Sequence, residues 1–245
     1  MSPRQPYRAA YCAAWLAIGI AVPMYGNASI VISGTRVVYN AGDRETTIKL
    51  TNEGKSPSLA QVWIDKGEEN EAPSSIDAPF MVSPPIARID PGTAQTLRIA
   101  YTGEALAQEV ETVFWLNVLD IPPKSDEGAH GANKIQLAFR SRIKLFFRPS
   151  AIRGRSIDAP DTVQWKLVPG GIEAKNPSAY HVSFAAIEVA GGNGIMKARD
   201  GGMVPPGGTK VFPLEGVISD GPAVKVRFHA INDYGGAHRN EVLLE

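Results

Sequence analysis

Four basic residues lie close together near the middle of the chain, in a run that is otherwise largely apolar. They are Arg140, Arg142, Lys144 and Arg148. Side chains two residues apart in a β-strand point to the same face. Cations among apolar residues suit a protein core poorly, but they suit an anion-binding surface well. The spacing therefore predicts that this segment anchors an anionic group.

A row of large apolar side chains precedes these cations. Ile135, Leu137 and Phe139 alternate with smaller or polar residues, which predicts a strand over residues 134–148. The row has two interpretations: the core face of an inner sandwich strand, or an edge strand whose side chains are offered to another chain. A strand of this length spans roughly 45 Å, more than one sandwich sheet normally needs. That length and the adjacent basic residues favour the edge strand.

Motifs of common enzymes are absent from the sequence. There is no Gly-x-Ser-x-Gly elbow and no His-Glu-x-x-His pair, and residues 207–210 lack the order of a phosphate-binding loop. The histidines are scattered, at positions His130, His181, His229 and His238. We therefore predict no enzyme activity, no metal site and no cofactor.

Composition narrows the class of protein further. The 25 basic residues balance the 25 acidic ones, which argues against a nucleic-acid-binding protein. The single cysteine, Cys12, excludes an intramolecular disulfide. The 24 glycines and 19 prolines, with many short Val-, Ile- and Thr-rich runs, predict strands joined by turns.

The first 28 residues predict a secretory signal peptide. Arg4 and Arg8 precede an uncharged stretch over residues 9–22, and small residues at positions 26 and 28 suit a cleavage site. The alternative is a membrane anchor, but the stretch is shorter than the roughly 20 residues that a spanning helix needs. We therefore expect export, and a soluble mature chain.

The rest of the chain predicts an all-β protein of two immunoglobulin-like sandwiches. Turn residues recur about every ten positions, and no helical period is evident. The composition changes after Pro149, and residues 151–156 are typical of a connector. We place an N-terminal domain at residues 29–149 and a C-terminal domain at residues 150–245.

Several motifs together resemble the periplasmic pilus-assembly chaperones of the chaperone–usher pathway, and they occur in that family's order over nearly the whole mature chain. Two shorter matches lie in the C-terminal half, at residues 176–177 (NP) and 203–207 (MVPPG). The longer matches are residues 35–39 (TRVVY), 111–123 (ETVFWLNVLDIPP), 142–149 (RIKLFFRP) and 231–236 (INDYGG).

The resemblance implies two domains arranged as a boomerang, and a role in binding pilus or fimbrial subunits and delivering them to an outer-membrane usher. Arg36 and Lys144 would hold the C-terminal carboxylate of the subunit. Ile135, Leu137 and Phe139 would fill the groove that the subunit's missing strand leaves open. A regular strand would point Phe139 and Lys144 to opposite faces, so either a bulge intervenes or the cleft wraps around the strand.

The resemblance also assigns an interdomain salt bridge to Glu111, Arg148 and Asp233, whereas Asn117 is interpreted as a structural strand residue. The loop at residues 124–132 is short, as in the branch of the family that serves rod-forming pili. We further expect the free chaperone to cover its exposed row by self-association.

Three classes of function are carried forward. The first is the subunit chaperone. The second is a secreted structural or adhesive pilus subunit, which would usually have a cysteine pair and an N-terminal donor extension. The third is a periplasmic enzyme or sugar-binding sandwich. Co-purification of a small secreted partner, polymerisation and turnover, respectively, would distinguish them.

Overall fold

The computed structural model describes residues 29–68, 77–124, 136–191, 194–216 and 224–244. Their regular structure is almost entirely β, with a short 3-10 helix at Ala159–Thr162. None of the helical segments among these residues has the length and apolar character of a membrane span. The predicted signal peptide lies outside the described residues, and so do positions 125–132 of the predicted short loop.

Two sheets pack face to face in the N-terminal half. One has the strand order β1-β3-β7-β5, and the other has the order β2-β9-β8-β4-β6. Alternation of side chains supplies the core. In β3, for example, Ile48 and Leu50 are buried, whereas Thr47 and Lys49 between and beside them are exposed. The strands are β1 (Ile30–Ile32), β2 (Arg36–Asn40), β3 (Thr46–Asn52), β4 (Ser58–Asp65), β5 (Phe80–Ser83), β6 (Ile86–Ile89), β7 (Ala94–Tyr101), β8 (Thr112–Ile121) and β9 (Phe139–Arg148).

The C-terminal half forms a second sandwich around its own core. Its strands have the order β10-β11-β15-β13-β12-β16-β17, and β14 also pairs with β12. β15 pairs with β11 through residues 209–213 and with β13 through residues 214–216, which joins the strands into one hydrogen-bonded sheet. The strands are β10 (Gln164–Val168), β11 (Gly171–Lys175), β12 (Val182–Gly191), β13 (Gly194–Ala198), β14 (Gly202–Val204), β15 (Thr209–Gly216), β16 (Lys225–Ile231) and β17 (Ala237–Leu243).

The two hydrophobic cores are separate. Leu50, Leu97, Leu116 and Leu145 belong to the first, and each is fully buried between the two N-terminal sheets. Aromatic side chains from several strands dominate the second, including Phe184, Phe212 and Phe228. The predicted all-β class with two immunoglobulin-like sandwiches is thus confirmed.

β9 begins later than the sequence predicts. The expected strand starts at residue 134, but residues 136–138 are not in a strand, and pairing with β8 begins at Phe139 opposite Asp120. Continuing that register would set Leu137 and Gln136 against Pro122 and Pro123. Proline has no backbone N–H to donate to a ladder, so β8 offers no further partner there.

Candidate functional site

Four side chains form a row across the outer face of the second N-terminal sheet. Arg36 on β2 is the cross-strand partner of Lys144 on β9. Lys144 is in turn opposite Trp115 on β8, and Trp115 is opposite Asp65 on β4. The structure therefore brings the two predicted carboxylate-binding residues side by side, and Trp115 separates them from Asp65.

Arg36 is held against the C-terminal domain. Its Nη1 donates a hydrogen bond of 3.1 Å to the backbone oxygen of Ile231, and its guanidinium lies 5.7 Å from the centre of the Phe146 ring. Burial lowers the pKa of Arg36, against the attraction of the Asp233 and Glu111 carboxylates. Its Nε is buried and has no hydrogen-bond partner among the described residues. The C-terminal domain therefore orients this guanidinium.

Lys144 is a half-buried cation among other cations. Its Nζ lies 5.5 Å from the centre of the Trp115 ring. Burial lowers the pKa of Lys144, and repulsion from Arg36 and from Lys210 of the C-terminal domain lowers it further. No carboxylate of the described part of the chain lies within salt-bridge distance of Nζ. Two adjacent cations of this kind form a site for an anion.

Two further cations of the predicted cluster, Arg140 and Arg142, have a different role. Asp65, fully buried, accepts a hydrogen bond of 2.5 Å from Nη2 of Arg142 and lies 3.4 Å from Nη2 of Arg140. Asn117 links them: its Oδ1 accepts hydrogen bonds of 2.9 and 2.7 Å from Arg140, and its Nδ2 donates one of 2.7 Å to Asp65. The expectation of one shared anion anchor therefore does not describe Arg140 and Arg142. Nothing in the sequence motifs pointed to Asp65, although it continues the outward-facing alternation of β4.

Half of β9 has an unpaired edge. β2 pairs in parallel with residues 144–148, whereas residues 139–143 are paired with β8 alone among the described residues. The open edge ends at Lys144, where β2 begins with Arg36. An extended segment added there would continue the line of β2, and its end would meet both cations.

Each of the two interpretations, an exposed edge row and a core face, describes a different part of the segment that contains the apolar row. Leu137 and Phe139 are 60% and 55% exposed, whereas Leu145 and Phe147, of the same parity, are fully buried in the core. Ile135 lies outside the described residues. The register of β9 against β8 is constant from end to end. No bulge separates Phe139 from Lys144, and the two side chains face opposite sides of the sheet.

Arg148 joins the two domains. Its Nη2 lies 2.8 Å from Oε1 of Glu111, and its Nη1 lies 2.7 Å from Oδ2 of Asp233. Burial alone would lower the pKa of Arg148, but hydrogen bonds to Asp233 and Glu111 raise it. Burial would likewise raise the pKa of Asp233, yet hydrogen bonds from Arg148 and Ser156 lower it. The structure thus brings together all three residues of the predicted interdomain set.

Sequence reasoning missed two further participants in this contact. His181 donates its backbone N–H to Oε2 of Glu111 at 2.9 Å, and its Nδ1 lies 3.1 Å from the same oxygen. Ser156 donates its hydroxyl to Asp233 at 2.7 Å. Neither residue belongs to a recognisable motif, and only the fold brings each one to its carboxylate.

A tight turn completes the domain contact. The Asn232 side-chain oxygen accepts hydrogen bonds from the backbone of Tyr234 and Gly236. Gly235 has φ +83°, and a Cβ there would lie 2.4 Å from the hydroxyl of Thr35. Glycine is required on both counts, conformation and space.

The described residues contain no group of three or more His, Cys, Asp or Glu side chains that could hold a metal ion. His181, His229 and His238 lie on three different strands or strand ends, and His130 lies outside the described residues. The candidate functional site is therefore the cation pair Arg36 and Lys144, at the end of the open β9 edge where β2 begins.

Comparison with known families gives two matches that together span most of the chain. Residues 29–153 match the family described as "Pili and flagellar-assembly chaperone, PapD N-terminal domain". Residues 158–242 match "Pili assembly chaperone PapD, C-terminal domain".

Individual relatives agree with these matches. The chain is 43% identical over 215 residues to "Chaperone protein FimB/FhaD" of Bordetella pertussis, covering 85% of each chain. It is 40% identical over 218 residues to "Probable fimbrial chaperone YadV" of Escherichia coli, covering 86% of this chain and 87% of that one.

Solved structures with similar folds belong to the same group. The Pseudomonas aeruginosa CupB2 chaperone aligns with a TM-score of 0.76 and 37% identity, over 88% of this chain and all of that one. The Salmonella enterica SafB chaperone, solved in complex with the SafA pilin, aligns with a TM-score of 0.75 and 27% identity, over 88% and 96% of the two chains.

Proposed function

Since the chain belongs to the PapD family of pilus-assembly chaperones, we propose that it captures fimbrial subunits in the periplasm and delivers them to an outer-membrane usher. The observation that carries the proposal is the pair Arg36 and Lys144, two half-buried cations at the head of an open strand edge.

The subunit's final strand adds to the open edge of β9. Strand addition to an exposed sheet edge is the recognised mode of chaperone–pilin complexes. The unpaired backbone groups of residues 139–143 supply its hydrogen bonds. Because the added strand ends at Arg36, where β2 begins, it runs parallel to β9 and presents its terminal carboxylate to the cations. Each charge-assisted hydrogen bond to that carboxylate contributes about 1.5–3 kcal/mol.

Apolar side chains beside the same edge complete the subunit's fold. Leu137 and Phe139, which are exposed in the free chain, insert with Ile135 into the groove left by the subunit's missing strand. Burial contributes roughly 1.5–3 kcal/mol for each such side chain. The apolar row and Lys144 face opposite sides of β9, so the subunit contacts both faces of the strand. Its groove receives the apolar side chains on one face. Its terminal carboxylate passes around the open edge to reach Lys144 on the other face.

The SafB chaperone, solved with a pilin, supports a pilin as the class of client. The comparisons match assembly chaperones and do not favour the alternative of a structural pilus subunit. Residues 1–28 act as the export signal. Glu111, Arg148 and Asp233 fix the angle between the domains, which are residues 29–149 and 150–245. The chain acts by binding, with no catalytic chemistry and no cofactor.

Periplasmic co-expression with candidate subunits, followed by pull-down, tests the proposal. Wild-type chaperone is expected to retain a small secreted subunit, whereas Arg36→Ala and Lys144→Ala are expected to fold normally and lose it. Arg88→Ala is a matched control, because the Arg88 side chain is 69% exposed on β6, away from the site. Normal capture by both folded site variants would refute the assignment.

A further inference from the structure

Arg142 and Arg140 lie on the same face of β9 as Lys144, two and four residues before it. Two residues along a strand correspond to about 7 Å. A terminal carboxylate that meets Lys144 would therefore meet another cation, although one without Arg36 as its cross-strand partner, after one two-residue step along the edge, and a third after two such steps. The face offers three basic positions, and capture in one register needs one of them to be favoured.

The alternation of side chains does not distinguish between registers that differ by two residues. A slip of one residue turns every apolar side chain to the wrong face and is strongly disfavoured. A slip of two residues preserves the alternation, although it moves one of the three apolar side chains out of the groove. Discrimination between registers two residues apart therefore comes from the loss of that one side chain and from the anchor.

Asp65 adds to the difference that Arg36 makes between the three cations, because it contacts Arg142 and Arg140 but not Lys144. It is fully buried on β4, two strands away, and contacts Arg142 at 2.5 Å and Arg140 at 3.4 Å. It is in the same cross-strand row as Lys144, but Trp115 stands between them. The Arg142 guanidinium lies 4.4 Å from the centre of the Trp115 ring, on the sheet face.

We propose that Asp65 sets the register of subunit capture: it holds Arg140 and Arg142 on the sheet, so that Lys144 with Arg36 receives the terminal carboxylate. Asp65 does not touch the subunit and is a positioning residue. The inference rests on the proposed function of Arg36 and Lys144.

Disulfide mapping measures the register directly. Cys12 is the one cysteine of the sequence and lies in the predicted export signal, so Ser141→Cys on the open edge reports on contacts of β9. The probe is the subunit retained by the wild-type chaperone, with single cysteines placed along its last strand. Asp65→Asn removes the carboxylate but keeps the size of the side chain and an oxygen for the hydrogen bond of 2.8 Å from the Gly67 backbone.

With Asp65 present, one subunit position is expected to cross-link, and Lys144→Ala is expected to lower capture by about ten- to hundredfold. Asp65→Asn is expected to add a second cross-link displaced by two residues, at Arg142, because Asn117 still holds Arg140 through two hydrogen bonds. Asp65→Asn/Lys144→Ala should recover capture relative to Lys144→Ala, in displaced register only. Adding Arg142→Gln to that double variant should remove the cross-link displaced by two residues.

A single register in folded Asp65→Asn, or no recovery in the double variant, would overturn the inference. Lys144→Ala alone keeps the test decisive if Asp65→Asn does not fold. Capture by Lys144→Ala in a displaced register refutes the role of Asp65, because Arg142 would then bind the carboxylate while Asp65 is present. Undiminished capture in the original register refutes the proposed anchor itself.

Discussion

Arg36 and Lys144 are direct cross-strand partners on two parallel strands. Arg36 lies near the start of the N-terminal domain, whereas Lys144 lies near its end. Two cations in this position repel each other, and burial removes part of the water that would screen them. Stability of the free protein does not explain such a pair, whereas an anionic partner that arrives later does.

Replacing Lys144 should therefore separate stability from function. Burial and the neighbouring cations lower the pKa of Lys144 in the folded chain, so its charge opposes folding at neutral pH. Lys144→Met is expected to melt at the same temperature as wild type or a higher one, while losing subunit capture. Thermal denaturation and pull-down check the two parts. A markedly lower melting temperature would identify Lys144 as a structural residue.

Capture should weaken in alkaline solution. The lowered pKa of Lys144 means that its ammonium loses its proton at a lower pH than an ordinary lysine, and a carboxylate binds the protonated form. Affinity is expected to fall as pH rises through that pKa, which lies below the ordinary lysine value of 10.5. Lys144→Arg is the control, since a guanidinium remains charged throughout this range. Binding measured from pH about 7 to about 10 should decline for wild type more steeply than for the variant.

A charge on the exposed apolar row should be tolerated by the free protein. Leu137 is 60% exposed, so Leu137→Glu is expected to leave the melting temperature nearly unchanged and to abolish capture. Leu145→Glu provides the contrast, because Leu145 is fully buried on the same segment and an unpaired buried charge is strongly destabilising. A loss of tens of degrees in Leu137→Glu would place the row in the core. Size-exclusion chromatography of wild type and Leu137→Glu also tests whether the exposed row drives self-association.

Removing the interdomain cation should cost more stability than removing a surface one. Arg148→Met leaves the buried Glu111 carboxylate without its cation, and we expect a loss of about 3 kcal/mol in the free energy of unfolding. Arg155→Met breaks an ion pair with Asp158 that is open to solvent, and should have little effect. Chemical denaturation of both variants checks the comparison, and equal effects would contradict it.

The interdomain contact should also fail in acid. The pKa of Asp233 lies below its usual value of 3.8 in the folded chain, so its contribution to stability is complete above about pH 3.8 and is lost as pH falls through the folded pKa. In wild type, the free energy of unfolding is expected to decrease over this interval. Asp233→Asn should show a shallower decrease, and identical slopes would argue against the contact.

The sequence predicted the class of fold and the residues of the site better than their relationships. Alternation indicates strands in much of the chain, but it does not mark β15, which contains Pro213, or β17, whose residues are mainly polar and exposed. Both depart from the apolar, Pro-free pattern by which strands are recognised. The sequence predicts β9 to be longer than it is. The prolines that limit its pairing follow β8, a different segment, and pairing between distant segments is not visible in either one alone.

The same reason explains why the sequence predicts a single group of four cations. Spacing along β9 makes Arg140, Arg142 and Lys144 equivalent. Their difference comes from Asp65 and Trp115, which the fold brings from β4 and β8. The predicted domain boundary stays a prediction, as do the individual roles of the site residues, until the variants above are measured.

The hydrogen bond from Arg36 to the backbone oxygen of Ile231 has a consequence for engineering. The cation proposed to receive the subunit's carboxylate is oriented by a main-chain atom of the C-terminal domain, and a main-chain acceptor is present whichever residue occupies position 231. Sequence change in that domain can thus alter other surfaces freely while the aim of Arg36 is kept. A minimal chaperone made of the N-terminal half alone would retain the strand edge and both cations but lose the guide for one of them, so redesign for new subunits should begin from the two-domain chain.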